Sequence, residues 1–360
     1  MEIKKPSYIH RPTGFQYNYQ TVPERLLYMA QKCGDKEVYV FLHPDGRRDS
    51  INARELYQRS RQLAYSLMSL GIGAGDIVAT CLDNELDLLI CTFATICTGA
   101  IILNVVMRNE DGSDLKQKLC KLDVKCLIVN PGKDRQRFTA CLNFITKLSP
   151  DGLVESESVP SLKIFISTTF VEERQLKQLN DLYKDPGNSF HFPRLDPEMT
   201  VVLLPTSGST GESKFVAHSH HDVMIIGNHL KESFGYDSGD VIYNERRFAW
   251  IGGFPFMYLH DGVKVVTKTQ PFESLQEHCE FTYNAMLQEK CTVAGLFPAT
   301  IIGLLDKING MTSPSKLFVK KKPPWVVLCT CLMKLRRFRK KVTSFWLYRK
   351  QGFAHLICEK

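Results

Sequence analysis

The sequence predicts an α/β protein made of two parallel-sheet βαβ subdomains, with the second sheet incomplete at the C-terminus. Its strand-like segments are short, continuous apolar runs, which is the pattern of strands that are covered on both faces. These runs alternate with helix-like segments, as they do in a parallel α/β sheet. The length of 360 residues is enough for two or three such subdomains around a sizeable core.

The first series of elements begins with a capped helix. Asn52 is a preferred N-cap residue, and Glu55 stands where a carboxylate closes a capping box. Leucines then recur at helical spacing until Gly71 ends the helix. The elements predicted after it are, in chain order, a strand Ile77–Leu82, a helix Glu85–Cys97, a strand Ala100–Val106, a helix Asp114–Leu122, and the strands Cys126–Val129, Ile164–Ile166 and Val201–Leu204.

A second α/β series lies nearer the C-terminus. It is predicted to contain, in chain order, a strand Val263–Thr267, a helix Glu273–Gln288, a strand Thr292–Leu296 and a helix Ala299–Ile308. Asn309-Gly310 and the prolines that follow break this pattern. We therefore expect residues 1–310 to form the α/β unit and residues 311–360 to form a divergent basic tail.

The segment T-S-G-S-T-G-E-S-K carries the strongest functional signal of the chain. It follows a strand that ends near Leu204, and we expect it to be an exposed loop before a helix that begins near Ser219. Glycines let backbone N–H groups approach an anion, hydroxyls donate hydrogen bonds, and a lysine adds a mobile positive charge. The pattern predicts a phosphate-binding loop made by Thr206, Ser207, Gly208, Ser209, Thr210, Gly211 and Lys214.

Other interpretations compete with this one. A Walker phosphate loop counted from Gly208 would need a glycine at position 213 and a hydroxyl at position 215. The chain has Ser213 and Phe215 there, so a kinase- or GTPase-type loop is excluded. A solvated Ser/Gly turn without a ligand stays open as the structural alternative, with Lys214 as an ordinary surface charge.

The loop motif resembles the signature of the adenylate-forming, AMP-binding enzymes, which include acyl-CoA synthetases, 4-coumarate–CoA ligases and luciferases. Three further segments are similar to motifs of that family: G-A-G-D-I-V-A-T-C-L-D-N-E-L-D at Gly73–Asp87, C-T-G-A-I-I-L-N-V-V at Cys97–Val106, and F-A-W-I-G-G-F at Phe248–Phe254. The likeness extends from about Thr21 to Gly310. It implies the N-terminal domain of the family, and it leaves the catalytic residues unassigned.

The resemblance implies a reaction in two steps. A carboxylic acid, medium-chain fatty or aromatic, attacks ATP to give an acyl-adenylate and pyrophosphate, and the thiol of coenzyme A then displaces AMP. The implied small-molecule partners are therefore the acid, ATP and coenzyme A, together with Mg²⁺. Because the first step sets an anion against a polyanion, Mg²⁺ and hydrogen-bond donors must offset the repulsion.

The resemblance also implies that Trp250, Gly252 and Gly253 line the acyl-substrate pocket. Ala249 stands where the family often has a histidine, so the family's substrate preference is not carried over. An aromatic side chain packed at a strand end is the alternative for Trp250.

Histidines and cysteines of the chain do not predict a metal site. The spacing of His218, His220 and His221 is not i, i+4, and no carboxylate or cysteine motif offers further ligands. We expect His220 to cap or pack the junction between loop and helix.

The 12 cysteines are scattered without a C-x-x-C pair, which favours free thiols in a reducing compartment. We expect a cytoplasmic protein, with mitochondria as the alternative.

After Gly310 the sequence shows none of the later motifs of the resembled family. These motifs hold adenine, metal and ribose, and a C-terminal lid domain supplies a lysine that activates adenylation. We therefore expect no lid domain and an impaired enzyme. The alternatives are a truncated, non-catalytic nucleotide-binding isoform and a binder of anionic surfaces. The tail itself is interpreted as a replacement end from altered splicing, as solvated disorder, or as an anion-binding segment.

Positive charge is concentrated in the tail. Residues 316–360 contain 13 of the 46 Lys+Arg and one of the 38 Asp+Glu. Residues 1–315 contain the other 33 Lys+Arg and 37 Asp+Glu. Only the tail, with K-L-R-R-F-R-K-K at Lys334–Lys341, is suited to a weak contact with an anionic membrane. No RNA-binding motif supports a specific nucleic-acid partner. We expect the apolar run Trp325–Met333 to add at most one strand, Val326–Cys329, to the second sheet.

Overall fold

The computed structural model describes residues 19–132, 135–149, 152–171, 176–187, 189–206, 214–234, 236–255, 262–269, 272–309 and 326–327. Its helices in these ranges are α1 Val22–Cys33, α2 Ala53–Ser69, α3 Leu86–Cys97, α4 Ser113–Lys121, α5 Arg135–Leu142, α6 His220–Phe234, α7 Leu275–Gln288 and α8 Pro298–Asn309, with a 3₁₀ turn at Leu179–Leu182.

The strands are short and are spread over the described chain. They are β1 Glu37–Leu42, β2 Arg48–Asn52, β3 Ile77–Cys81, β4 Ile101–Asn104, β5 Cys126–Val129, β6 Lys147–Leu148, β7 Val154–Glu155, β8 Ile164–Ser167, β9 Lys177–Gln178, β10 Thr200–Pro205, β11 Phe215–Ser219, β12 Val241–Asn244, β13 Lys264–Lys268, β14 Val293–Gly295 and β15 Val326–Val327.

Two mixed but mainly parallel sheets form the framework. The six-stranded sheet has the order β15-β14-β12-β13-β1-β2, and its only antiparallel pair among the described strands is β1 with β2. The seven-stranded sheet has the order β11-β10-β4-β3-β5-β8-β9, and its antiparallel pair is β10 with β11. A small antiparallel pair, β6 with β7, is a separate ladder that meets the seven-stranded sheet through an isolated bridge between Leu153 and Ile164.

The two sheets share a central layer of helices. Side chains of α1, α2, α3 and α6 pack in one hydrophobic cluster with residues from both sheets, such as Phe41 of β1 and Ile128 of β5. The neighbouring residues on those strands, Leu42 and Leu127, lie in two separate outer clusters. Helices α4 and α5 cover the outer face of the seven-stranded sheet, and α7 and α8 cover that of the six-stranded sheet. Because both faces are covered, the strands read as continuous apolar runs.

Local signals explain where the central helices begin. The Asn52 side chain accepts a hydrogen bond from the backbone N–H of Glu55 at 2.8 Å, as predicted for the start of α2. Thr21 and Glu24 form a complete capping box at the start of α1, which the sequence reasoning did not use. Helix α3 is buried at every position from Leu88 to Cys97, as its place between two sheets requires.

Most of the predicted elements are confirmed, with small shifts at their ends. The prediction of a loop leading directly into a helix near Ser219 was incomplete. Helix α6 does begin at His220, but the preceding residues form β11, an edge strand that pairs with β10. Its burial is irregular, so neither alternation nor a continuous apolar run marks it as a strand. The backbone bonds to β10 decide its conformation.

The predicted strand in the tail is confirmed at its first two residues. Val326 and Val327 form β15 and pair in parallel with Val293 and Ala294 of β14, which extends the six-stranded sheet. The other residues of the expected tail, including Lys334–Lys341, lie outside the described residues. Within the described ranges, no helix has both the length and the apolar character needed to cross a bilayer.

Candidate functional site

The predicted phosphate loop is the connection of a β-hairpin. The backbone N–H of Thr206 donates to the carbonyl of Lys214 at 2.8 Å, and the Thr206 hydroxyl donates to the same oxygen at 3.3 Å. Directly behind this pair, Pro205 of β10 faces Phe215 of β11. The two ends of the loop are therefore held together by the pairing of β10 with β11.

The mouth of this hairpin lies at the carboxyl edge of the seven-stranded sheet. Strand β10 runs parallel to β4, with Val202 opposite Ile102, and β4 runs parallel to β3. The ends of β10, β4 and β3 therefore lie at one edge. In open α/β sheets, ligands bind outside the carboxyl ends of the strands.

The structure places only the two ends of the predicted loop. Thr206 and Lys214 are both exposed, so the hydroxyl and the ammonium are accessible to a ligand. Ser207, Gly208, Ser209, Thr210 and Gly211 lie outside the described residues, and their contact with phosphate stays a prediction. The Thr206 hydroxyl already donates to the Lys214 carbonyl, so the mobile cation of Lys214 is the group at this mouth that is suited to a phosphate.

A buried asparagine joins the two sheets beside this edge. Asn84, in the turn after β3, donates from Nδ2 to the carbonyl of Arg246 at 2.8 Å and accepts the backbone N–H of Phe248 at 3.0 Å. It thereby fixes the segment that follows β12, which contains the predicted pocket residues.

Trp250 lies on the wall of a cavity, and its contact with an acyl group stays a prediction. Its ring meets Phe297 edge-on, with 6.0 Å between the ring centroids, and 47% of the residue is exposed. The alternative for Trp250, an aromatic side chain packed at a strand end, therefore describes only part of the environment of this residue. The cavity has a volume of about 210 Å³ and is lined by Asp83, Asn84, Glu245, Arg247, Trp250, Lys268, Thr269 and Phe297.

Gly252 and Gly253 do not line this cavity. The carbonyl of Gly252 accepts a hydrogen bond from Asn244 at 3.1 Å, and the N–H of Gly253 donates to Trp250. A Cβ on Gly253 would overlap the backbone carbonyl of Arg247. The described contacts give the two glycines a role in the turn that presents Trp250, and their contact with an acyl group stays a prediction.

The sequence reasoning missed a buried polar chain beside Trp250. The carboxylate of Glu245 is fully buried and lies 2.7 Å from Nε2 of His278, and Nδ1 of His278 lies 2.8 Å from the amine of Lys268. Thr300 donates to the Glu245 carboxylate at 3.0 Å, and the backbone N–H of Phe297 donates to its other oxygen.

The sequence did contain a positional signal for two residues of this buried polar chain. Glu245 directly follows β12 and Lys268 ends β13, and these two strands are neighbours in the sheet. Charged residues at the carboxyl ends of adjacent parallel strands meet at one edge, where ligands bind. The pairing of β12 with β13 could not be deduced without the fold, so the two residues were not connected.

A second cavity lies at the ends of β3, β4 and β5. Its volume is about 140 Å³, and its polar lining includes Asp83, Glu85, Asn130, Arg137 and Arg247. Arg247 and Asp83 line both cavities, and their charged groups are 3.8 Å apart. The two cavities are therefore neighbours on either side of this ion pair.

His220 packs at the junction of β11 and α6, as predicted. It is buried, and its Nδ1 accepts a hydrogen bond from the backbone N–H of Val22 at 3.1 Å. Burial lowers the pKa of His220 to about 4, so the ring is neutral near pH 7. Among the residues that the structure describes, no three His, Cys, Asp or Glu side chains are placed to hold a metal ion.

This fold and the sequence motif at the hairpin are those of the adenylate-forming family. The AMP-binding enzyme family matches residues 28–336, and the chain belongs to that family. The match reaches beyond Gly310, where the motif likeness ended, and includes β15. The boundary between the expected domains at residue 310 stays a prediction.

The curated relatives include acyl-CoA and acetyl-CoA synthetases. The chain is 26% identical over 227 residues to an acetyl-coenzyme A synthetase of Methanothrix thermoacetophila, covering 62% of this chain and 34% of that enzyme. It is 28% identical over 243 residues to a mitochondrial medium-chain acyl-CoA ligase of Mus musculus, covering 62% and 38%. The corresponding ligase of Danio rerio is 24% identical over 323 residues, covering 84% and 50%. The matched segments thus span between a third and a half of these relatives.

Solved structures show the same fold. A luciferase-like enzyme of the mealworm Zophobas morio superposes with a TM-score of 0.65 at 19% identity, covering 84% of this chain and 65% of that one. A long-chain-fatty-acid-CoA ligase of Archaeoglobus fulgidus superposes with a TM-score of 0.68 at 16% identity, covering 85% and 57%. The family consists of adenylate-forming acid–CoA ligases and related enzymes that use ATP and coenzyme A.

Proposed function

We propose that this chain serves the ATP-dependent activation of a carboxylic acid, medium-chain fatty or aromatic, to an acyl-adenylate and then to an acyl-CoA. The observation that carries the proposal is the hairpin mouth formed by Thr206 and Lys214, at the sheet edge where ligands of α/β proteins bind. Since the relatives are up to about three times longer than the matched segment, the activity of the whole protein belongs to the proposal.

The first step requires that the repulsion between carboxylate and phosphates be offset. Lys214 supplies a positive charge, and Thr206 supplies a hydroxyl at the same mouth. The backbone pair between Thr206 and Lys214 holds the two ends of the loop at this mouth. Mg²⁺ would accompany the phosphates, as the family chemistry implies.

The acid is assigned to the cavity beside Trp250. Trp250 and Phe297 give this cavity an aromatic wall that suits a fatty or aromatic chain. Arg247 also lines it, with its guanidinium 3.8 Å from Asp83, and is a cationic partner for the carboxylate of the acid. The arrangement supports an apolar acid with one anionic end.

Nucleotide binding tests the first half of the proposal. We expect Lys214→Ala to weaken ATP binding by about tenfold, which corresponds to ~1.4 kcal/mol for one charge-assisted contact. The matched control is Lys116→Ala, an exposed lysine on α4, which should leave the affinity unchanged. Calorimetric titration with MgATP measures both. Equal affinity of all three proteins would refute the assignment of Lys214.

Pyrophosphate release tests the second half. The purified chain is incubated with MgATP and single acids from acetate to laurate and cinnamate, and pyrophosphate is measured with and without coenzyme A. Release that depends on the acid supports the proposal. ATP binding without release under any acid would favour the non-catalytic nucleotide-binding isoform instead.

A further inference from the structure

Lys268, His278 and Glu245 form a connected chain of the kind that activates a nucleophile. The amine of Lys268 lies 2.8 Å from Nδ1 of His278, and Nε2 of the same ring lies 2.7 Å from the Glu245 carboxylate. A nucleophile within hydrogen-bond reach of a base, with the base oriented by a third group, is the general pattern of covalent catalysis. Here the nucleophile would be an amine.

His278, the base in this hydrogen-bonded chain of side chains, is held in one tautomer. Because the buried Glu245 carboxylate can only accept, His278 donates to it through Nε2–H. Its Nδ1 therefore carries the lone pair that faces Lys268. Thr300 and the backbone N–H of Phe297 fix the carboxylate from its other sides.

The surroundings of Lys268 favour the uncharged amine. Burial, followed by the charge of Arg247, lowers the pKa of Lys268 to about 8, while Glu245 raises it. The Phe272 ring, 5.3 Å from the amine, and Asp83, which lines the same cavity, act in the opposite direction and favour the ammonium, but burial is the largest influence on the pKa. A substantial fraction of the amine is therefore neutral at pH 7.5–8.

Lys264, at the start of the same strand, has the opposite environment. Its amine lies 2.8 Å from Glu37 and 2.7 Å from Glu289. Although burial opposes it, these two carboxylates raise the pKa of Lys264, so this lysine stays cationic. Strand β13 thus carries one lysine that is suited to nucleophilic attack, Lys268, and one that is not, Lys264. The second serves as an internal control.

We propose that Lys268 is an acyl-acceptor site, at which the chain becomes acylated by acyl–phosphate mixed anhydrides that enter the cavity beside Trp250. The acyl-adenylate of the proposed function is such an anhydride. As a reaction of the protein with its own product, the inference rests on the proposed function. The product is an amide on the wall of the acid cavity, which would fill part of its 210 Å³ volume.

The step balances without a further reactant. The Lys268 nitrogen attacks the carbonyl carbon, a C–N bond forms, and the bond from that carbon to the phosphate oxygen breaks. The phosphate or AMP leaves with the bonding electron pair. The proton lost by the amine passes to Nδ1 of His278, whose positive charge the Glu245 carboxylate offsets.

Acetyl phosphate tests the site without any need for adenylation. The purified chain is incubated with acetyl phosphate at pH 6.5–9, and acetylation of each lysine is followed by peptide mass spectrometry. We expect Lys268 to be modified at least tenfold faster than Lys264 and faster than the exposed Lys116, with a rate that rises to a plateau above pH 8. Modification of Lys268 at or below the rate of Lys116 would overturn the inference.

His278→Gln separates nucleophilic activation from simple exposure. Glutamine can still donate to Glu245 but has no basic nitrogen facing Lys268, so we expect acetylation of Lys268 to slow about tenfold, at the low end for loss of a general base. Circular dichroism checks that the variant is folded, and the exposed His191→Gln is the matched control. An unchanged rate in a folded His278→Gln protein would refute the role of the histidine.

A second arm distinguishes this inference from the proposed function. The chain is incubated with MgATP and decanoate in place of acetyl phosphate. Decanoylation of Lys268 that requires ATP supports both proposals. If acetyl phosphate modifies Lys268 but neither decanoylation nor pyrophosphate release occurs, the proposed function fails and the acyl-acceptor site stands.

Discussion

The backbone N–H of Val22 donates a hydrogen bond to Nδ1 of His220, 3.1 Å away, and so joins the first turn of α1 to the start of α6. Thr21 caps α1 one residue earlier, and Asp222 caps the first turn of α6 through the backbone N–H of Ser219. The buried imidazole thus fixes two helices of the central layer beside the hairpin that carries the phosphate-loop motif. Its protonation state matters for stability.

We expect the protein to lose stability as the pH falls from 6.5 to 4. The pKa of His220 is lowered by burial to about 4, so in this window the unfolded chain binds a proton that the folded chain does not. The stability contributed by the neutral ring is fully present above pH 6.5. Urea unfolding at pH 7 and pH 5 measures the loss.

The variant His220→Asn keeps an acceptor near Nδ1 but cannot titrate. It should show a smaller fall in the free energy of unfolding between pH 7 and pH 5 than the parent chain. The exposed His191→Asn is its control and should keep the parent's dependence. An identical pH dependence of His220→Asn and the parent would show that another group causes the effect.

We expect Gly253→Ala to destabilise the protein, because its new methyl group would overlap the backbone carbonyl of Arg247. Backbone cannot move aside as a flexible side chain can, so the cost should be about 1–3 kcal/mol, as for other overpacked sites. Gly73→Ala is the matched control, since nothing lies within 4 Å of its added methyl. Chemical denaturation of both variants compares them, and equal midpoints would contradict the packing argument.

We expect Trp250→Ala to weaken the acid site more than the fold. The ring is about half exposed and forms a wall of the cavity with Phe297, so its loss should cost about 1 kcal/mol of stability or less. The KM for the acid should rise about tenfold, or ~1.4 kcal/mol, with little change in the KM for ATP. The control is Phe170→Ala, an aromatic side chain that is 68% exposed. A matching rise in both KM values would place Trp250 outside the acid site.

Elements with a strong local signal were predicted closely. The apolar run of β5, Cys126–Val129, has the predicted bounds, and α2 begins at the predicted cap, Asn52. The edge strand β11 was not predicted, because its polar and apolar residues follow no period and its partner β10 supplies the pairing. Strand β12 was also missed, since its four residues carry too little pattern to stand out.

The residues of the candidate site also divide into those that the sequence predicts and those that it does not. The loop Thr206–Lys214 and Trp250 were predicted from the sequence, because each lies in a continuous motif that resembles a family signature. Glu245, Lys268 and His278 were not found, although they form the buried polar chain of the cavity. They come from the ends of two strands and from one helix, and their separation along the chain hides their contact.

The sequence by itself therefore determined the fold class and the family, and it predicted one anion-binding loop. These properties depend on local pattern: apolar runs, caps, glycine spacing and hydroxyl groups. Tertiary structure alone decided that the Glu245 carboxylate is fully buried and that the Lys268 amine meets His278 beside Trp250. Burial and proximity shift the protonation of such groups, and both arise only when distant segments pack together.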